Sequence, residues 1–115
     1  AYNANPTSMR AALENFAGHP EPGYVPALVL GEMRELGEYT ESEHRALLDA
    51  VRKHGFGEVY LVGATFDGLD PDAGWHLFPA VEPLAEYLDA NPLTGRAVLI
   101  KGSRGNRLEK ILELL

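Results

Sequence analysis

The sequence predicts a three-layer α/β domain in which helices cover both faces of a mostly parallel sheet. Short apolar runs alternate along the chain with amphipathic segments of roughly 10–15 residues, which is the pattern of right-handed βαβ units. Glycine and other turn residues separate the two kinds of segment. A chain of 115 residues is long enough for one such domain with a real core, and too short for two.

The first half of the chain predicts two helices with a strand between them. Asn5-Pro6 is typical of a helix start, because asparagine caps a helix and proline suits its first position. The apolar run at residues 25–30 predicts a buried strand. Thr40 and Glu43 have the spacing of a capping box, and apolar residues follow at helical intervals to about residue 54.

The second half of the chain predicts three further strands and two further helices. The strands cover residues 59–62, 75–78 and 97–100, and a helix covers residues 83–90. After the last strand and a turn of small residues, apolar side chains recur at helical spacing and predict a final helix; they are Leu108, Ile111, Leu112 and Leu115.

Three polar loops are expected at one edge of this sheet. They cover residues 2–6, 31–39 and 101–106, and ligands of parallel sheets bind at the carboxyl ends of the strands. The last loop is rich in cations in an otherwise acidic chain, and it precedes a predicted helix start, which favours an anion. The alternative interpretation is an ordinary basic, solvated helix start.

Composition and charge exclude several classes of function. A net charge of −7 and a pI of about 5.0 argue against nucleic acid and anionic membranes as partners. The chain has no cysteine, which excludes disulfides and cysteine-based zinc sites. No apolar run approaches the roughly 20 residues of a membrane-spanning helix, and no secretory signal pattern opens the chain, so a cytoplasmic protein is expected. Neither G-x-x-x-x-G-K-[ST] nor G-x-G-x-x-G occurs.

A few side chains near the predicted loops are candidates for binding. Tyr2 with Asn3 could face a base or a ribose, whereas Asn5-Pro6 is explained by helix capping alone. Glu32 follows the strand directly and could meet an ammonium group or Mg²⁺, or belong to a solvated acidic loop. His44 is a possible site residue or a packing residue. No residue set has a spacing that predicts nucleophilic or acid–base catalysis, so no catalytic residue and no metal ligand is predicted here.

Three stretches of the sequence carry the pattern of a known family. They read Tyr-Asn-Ala-Asn-Pro-x-Ser-Met at residues 2–9, Leu-Gly-Glu-Met-x-Glu-Leu-Gly at 30–37 with His44 downstream, and Val-Leu-Ile-Lys-Gly-Ser-Arg-Gly-x-x-Leu-Glu at 98–109. Together they resemble the carboxyl-terminal domain of the Mur ligases, over essentially the whole chain. Within that family they are most similar to the branch that adds D-alanyl-D-alanine.

The resemblance implies that residues 1–115 form one Rossmann-like domain of a three-domain ligase. An amino-terminal domain for the UDP-linked substrate and a central ATPase domain are then expected in a longer chain. The whole enzyme would add D-alanyl-D-alanine to UDP-N-acetylmuramoyl-tripeptide in peptidoglycan precursor synthesis, with ATP and Mg²⁺, through an acyl phosphate. The other two domains and these two substrates are the expected partners. The 115-residue chain alone is expected to be inactive and to bind no cofactor.

The resemblance also implies roles for particular residues. The start motif, which approaches the nucleotide in the family, is matched by Tyr2, Asn3 and Asn5. The loop beside the incoming amino-acid substrate is matched by Lys101, Ser103 and Arg104. A guanidinium fork with a neighbouring ammonium suits a carboxylate. The family pattern has an aspartate just before Ala1-Tyr2-Asn3, and this chain begins after it.

Two other interpretations remain open from the sequence. Another Mur ligase or a folylpolyglutamate-type ligase would share the fold, but would need a different amino-acid loop from Lys-Gly-Ser-Arg. A free-standing flavodoxin-like binding module would instead need a ligand or partner of its own.

Overall fold

Four strands form one parallel sheet in the computed structural model, which describes residues 4–114 apart from the side chain of Glu113. The strands are β1 (Val25–Gly31), β2 (Val59–Val62), β3 (His76–Phe78) and β4 (Arg96–Lys101). Their order in the sheet is β3-β2-β1-β4, and every neighbouring pair is parallel. The sequence prediction of a parallel α/β sheet is therefore confirmed.

Helices cover both faces of the sheet, as three layers require. They are α1 (Pro6–Gly18), α2 (Thr40–Lys53) and α3 (Val81–Ala90). Side chains alternate along β1, so that Leu28 and Leu30 pack in the core beneath α1 and α2, and Val29 packs in the core beneath α3. From Ala27 onward the strand is buried on both faces, which explains its apolar run.

The last segment of the chain differs from its prediction. It forms two 3₁₀ segments, Arg104–Asn106 and Leu108–Leu114, in place of an α-helix. A 3₁₀ helix has three residues per turn, so Leu108, Ile111 and Leu114 align toward the core. Leu112, which the helical pattern placed inside, is 58% exposed. The remaining predicted position, Leu115, lies outside the described residues.

The predicted capping box at the start of α2 is also wrong. A 3₁₀ turn at Gly37–Tyr39 runs directly into the helix, so Thr40 already has helical backbone angles. Its hydroxyl donates to the carbonyl oxygen of Gly37 at 2.7 Å and does not cap the helix. Glu43 forms an ion pair at 3.4 Å with Arg10 of α1 instead, which ties the two helices together.

Candidate functional site

The described parts of all three predicted loops line one cavity at the carboxyl edge of the sheet. This cavity, the loop cavity, has a volume of about 410 Å³. Its walls come from the start of α1, from the segment after β1 and from the segment after β4; they are Ala4, Asn5, Arg34, Glu35, Leu36, Ser103, Arg104 and Gly105. The loops converge because parallel β1 and β4 are neighbours and end at the same edge.

The segment after β1 is held in place by a buried histidine. The backbone N–H of Met33 donates to Nε2 of His44 at 2.9 Å, and Nδ1 of His44 lies 2.7 Å from the carbonyl oxygen of Thr40. Because Nε2 accepts a hydrogen bond, the proton sits on Nδ1 and is donated to Thr40. His44 is fully buried and packs edge-on against Phe66. It is therefore a support for this loop and does not line the loop cavity.

The segment after β4 is held by Asn106, which the sequence analysis did not single out. Oδ1 of Asn106 accepts hydrogen bonds from the backbone N–H and the hydroxyl of Ser103, both at 2.9 Å. The side chain is buried and lies against Gly31 and Gly102, where a Cβ would collide with it. The two glycines next to β1 and β4 are the signal in the sequence that a side chain inserts between the strand ends.

A second cavity of about 350 Å³ adjoins the loop cavity, and we call it the charged cavity. Its walls combine two acids, two arginines and the start of α3; they include Glu32, Arg34, Glu82, Asn106 and Arg107. Arg107 and Lys110 form ion pairs with Glu82 at 2.9 and 3.4 Å. The backbone N–H of Glu82 itself lowers the pKa of its carboxyl, and Lys110 and Arg107 lower it further.

Glu32 is the more buried of the two acids that line this cavity. One carboxylate oxygen accepts the backbone N–H of Thr65 at 3.1 Å, and the side chain is 19% exposed. Gly63 makes this position possible, because a Cβ there would lie 2.5 Å from Cδ of Glu32. Gly63 has a φ of +128°, so a side chain would be strained there as well.

Arg34 is a second residue that the sequence analysis passed over, although it lies inside the Leu-Gly-Glu-Met-x-Glu-Leu-Gly motif. Its side chain lines both cavities and is 54% exposed. A Cβ on Gly105 would lie 2.6 Å from Nε of Arg34, so the guanidinium packs directly on that glycine. The sequence signal was a lone arginine in an acidic loop.

The predicted site residues fall into distinct positions. Ser103 and Arg104 line the loop cavity. Asn5 does too, while its side-chain oxygen caps α1 by accepting the backbone N–H of Ser8 at 2.9 Å. Lys101 ends β4 and is half-buried, and it is not among the residues that line either cavity. The other two predicted residues, Tyr2 and Asn3, lie outside the described residues.

Among the described residues, no group of three or more His, Asp or Glu side chains is arranged to hold a metal ion. No helix in the described part of the chain is long and apolar enough to cross a membrane.

A third cavity, of about 340 Å³, lies at the opposite end of the sheet. Its walls are largely aromatic and apolar and include Phe16, Tyr24, Pro26 and Phe56. It contains none of the residues predicted to bind a substrate.

Comparison with known proteins gives a consistent result. Residues 1–104 match the family model described as Mur ligase, glutamate ligase domain. The UDP-N-acetylmuramoyl-tripeptide–D-alanyl-D-alanine ligase of Rickettsia prowazekii is 36% identical over 116 residues, which cover 97% of this chain and 25% of that protein. The ligase of the same name from Mycobacterium tuberculosis is 53% identical over 84 residues, covering 65% of this chain and 16% of that protein.

A solved structure gives the same answer for the fold. The crystal structure of the MurF ligase from Thermotoga maritima in complex with ADP matches with a TM-score of 0.76 and 26% identity, over 99% of this chain and 26% of that one. The chain thus spans about a quarter of the length of these relatives. Since the family model covers residues 1–104 and the fold agrees throughout, this chain belongs to the Mur ligase family, as its glutamate ligase domain.

Proposed function

We propose that this chain is the carboxyl-terminal domain of a ligase that joins D-alanyl-D-alanine to UDP-N-acetylmuramoyl-tripeptide at the expense of ATP. The relatives named above support this substrate pair, and the ADP complex of the Thermotoga enzyme supports the nucleotide. The observation that carries the proposal is the loop cavity, where the start motif and the Lys-Gly-Ser-Arg loop meet.

In the proposed reaction, ATP phosphorylates the carboxylate of the tripeptide and ADP leaves. The amine of D-alanyl-D-alanine attacks the acyl phosphate, loses a proton and displaces inorganic phosphate, which leaves a new amide bond. The contribution of this domain is to orient the dipeptide, because correct alignment of the reactants by itself removes a large part of the activation barrier. Mg²⁺ is expected in the whole enzyme, although the described residues of this chain hold no cluster of side chains that fits it.

Charged groups at the carboxyl edge suit the two ends of a dipeptide. Arg104 and Ser103 line the loop cavity, where a guanidinium and a hydroxyl can bind a carboxylate. Lys101 adds a positive charge at the end of β4. Glu32 lines the charged cavity, which adjoins the loop cavity. Its carboxylate can hold the ammonium group of the dipeptide until that group loses its proton.

The nucleotide and the other domains complete the proposal. Asn5, with Tyr2 and Asn3 of the same motif, is proposed to approach the nucleotide bound by the central domain. The other two domains of the ligase would close over the carboxyl edge of the sheet, and the reaction would take place in the cytoplasm. The 115-residue chain by itself is proposed to be inactive and to hold no cofactor.

The experiment is an assay of the full-length protein with ATP, Mg²⁺ and UDP-N-acetylmuramoyl-tripeptide. D-alanyl-D-alanine is compared with single amino acids, including D-glutamate and L-lysine, as the nucleophile. We expect a UDP-linked pentapeptide together with ADP and phosphate, in the dipeptide reaction only. Ligation of a single amino acid instead would indicate another member of the family, and no ligation with any of them would refute a ligase of this kind.

A further inference from the structure

Arg34 forms a wall shared by the loop cavity and the charged cavity. Its guanidinium lies on Gly105, in the middle of the loop that also carries Ser103 and Arg104. Glycine is the residue that permits this contact, since a Cβ at Gly105 would lie 2.6 Å from Nε and 2.8 Å from Cζ of Arg34. A cation is thus placed between the two cavities by a close approach of the two loops.

The backbone that carries Arg34 is well supported. Glu32 donates its backbone N–H to the carbonyl oxygen of Val62 at 2.9 Å, and Met33 donates to buried His44 at the same distance. Met33 is itself buried. Arg34 therefore extends from an ordered base, which reduces the entropy that is lost when its side chain binds a ligand.

The guanidinium is only loosely paired within this chain. Its Nη2 lies 3.9 Å from Oε1 of Glu32, which is beyond hydrogen-bond distance, and Glu32 already accepts the backbone N–H of Thr65. The side chain of Arg34 is 54% exposed. Its fork of N–H donors is therefore available to an oxyanion in the cavity.

We propose that Arg34 binds the carboxylate of the incoming dipeptide and is a specificity-determining residue of the ligase, an inference that rests on the proposed function. D-alanyl-D-alanine carries a carboxylate at one end and an amine at the other. Arg34 and Glu32 place opposite charges side by side on one loop, and Arg34 lines the loop cavity together with Ser103 and Arg104, with its guanidinium against Gly105. A carboxylate that contacts two arginines is bound more tightly than by one, and its neutral amide analogue is rejected.

The test uses the full-length ligase with two nucleophiles, D-alanyl-D-alanine and D-alanyl-D-alanine amide, in which the carboxylate is neutral. For the unsubstituted enzyme we expect a higher kcat/KM with the acid. Arg34→Ala should lower kcat/KM for the acid by about tenfold to a hundredfold. It should change kcat/KM for the amide by less than about threefold and leave the KM for ATP unchanged. Arg34→Lys should restore part of the preference for the acid, because an ammonium retains the charge without the fork.

A second variant tests whether the position of the Arg34 guanidinium matters in addition to its charge. Gly105→Ala keeps Arg34 but forces its guanidinium off the loop, so it should also reduce the preference for the acid. Arg10→Ala is the matched control, because Arg10 is an exposed arginine paired with Glu43 between α1 and α2, away from both cavities. Thermal unfolding of each variant confirms that it is folded.

The possible results distinguish the role of Arg34 from the ligase activity on which that role depends. If Arg34→Ala and Arg34→Lys both keep the full preference for the acid, the inference is wrong. A variant that raises the KM for ATP while its dipeptide kinetics stay constant would assign Arg34 to the nucleotide phosphates and would also overturn it. An unsubstituted enzyme that ligates neither nucleophile would refute the proposed function itself.

Discussion

Single residues at the carboxyl edge divide into those that can bind a ligand and those that hold the loops. Arg104 and Arg34 line a cavity, whereas His44 and Asn106 are buried polar side chains that bond to loop backbone. Sequence motifs do not distinguish the two kinds, because all four residues lie in or near the same motifs. Burial and hydrogen-bond partners distinguish them.

Replacing Arg104 by alanine in the full-length ligase should weaken use of D-alanyl-D-alanine far more than use of ATP or the UDP-linked tripeptide. Loss of a charged hydrogen-bond donor to a bound carboxylate costs on the order of 1.5–3 kcal/mol. That corresponds to roughly tenfold to a hundredfold in kcat/KM for the dipeptide. Arg104→Lys should recover part of it. Steady-state kinetics with each substrate varied in turn provide the measurement, and a change confined to ATP would contradict the assignment of this loop.

Replacing His44 by leucine should destabilise the domain. The substitution leaves the buried N–H of Met33 without its present partner and removes the hydrogen bond to the part-buried carbonyl of Thr40. We expect the free energy of unfolding to fall by about 2–4 kcal/mol. Arg45→Ala is the control on the next residue, because its i,i+4 pair with Glu41 is exposed and should contribute less than about 1 kcal/mol. Urea unfolding measures both, and equal stability of the two variants would show that His44 does not support the loop.

At the scale of elements, close contacts between strand ends and loops decide where the site lies. Parallel pairing brings the end of β1 beside the end of β4, and the side chain of Asn106 fills the space between them. Glycines at 31 and 102 leave room for it. The same principle places Glu32 over Gly63 beside the end of β2. The loops after β1 and after β4 therefore each depend on a glycine in a neighbouring element.

Substitution of Gly31 by alanine tests this dependence. The new Cβ would collide with the side chain of Asn106, so the loop after β4 must shift. We expect a loss of about 1–3 kcal/mol in the free energy of unfolding, which is typical of an overpacked core. Gly18→Ala is the matched control at the end of α1, where nothing lies within 4 Å of the new Cβ. The control should be neutral or slightly stabilising, since alanine favours a helix. The prediction fails in urea unfolding if both variants behave alike.

The ion pairs from Arg107 and Lys110 to Glu82 tie the last 3₁₀ segment to α3 and should make stability depend on pH. Because the pKa of Glu82 is lowered in the folded state, its contribution is present above the usual glutamate range and is lost as the pH falls through the folded pKa. Glu82→Gln should therefore be less stable than the unsubstituted chain at neutral pH, and the two should have equal stability at an acidic pH below the folded pKa of Glu82. Unfolding at both pH values is the measurement, with Glu86→Gln on the same helix as the control. A difference that persists in acid would rule out the carboxylate as its cause.

On the scale of the whole molecule, charge is unevenly distributed. The chain has a net charge of −7, yet the cavities at the carboxyl edge of the sheet are lined by as many arginines (Arg34, Arg104 and Arg107) as glutamates (Glu32, Glu35 and Glu82). The walls of the cavity at the opposite end are largely aromatic and apolar. The carboxyl edge is therefore less acidic than the chain as a whole, which favours the approach of an anionic substrate.

The isolated 115-residue chain should fold but should not hydrolyse ATP. Its sequence contains no G-x-x-x-x-G-K-[ST] loop to hold a triphosphate. Phosphate release by the purified chain should equal the buffer background, with the full-length ligase and its substrates as the positive control. ATPase activity that stays with the chain through a second purification step would contradict this prediction.

The sequence by itself determined the α/β class, the four strands to within a few residues and the edge of the sheet at which the loops meet. Apolar runs and turn residues are local properties, and parallel pairing then leaves one edge for the loops. Three motifs together also indicate the family.

Only the tertiary structure decided which polar residues support the site and which line it. His44 and Asn106 find their partners across 11 residues and within a tight turn, and no periodic pattern reveals such bonds. The 3₁₀ form of the last segment likewise depends on packing against α3, which overrides the helical spacing of its leucines. The position of Arg34 at the site follows from its contact with Gly105. The sequence of neither loop predicts this contact, because the fold determines how closely the two loops approach.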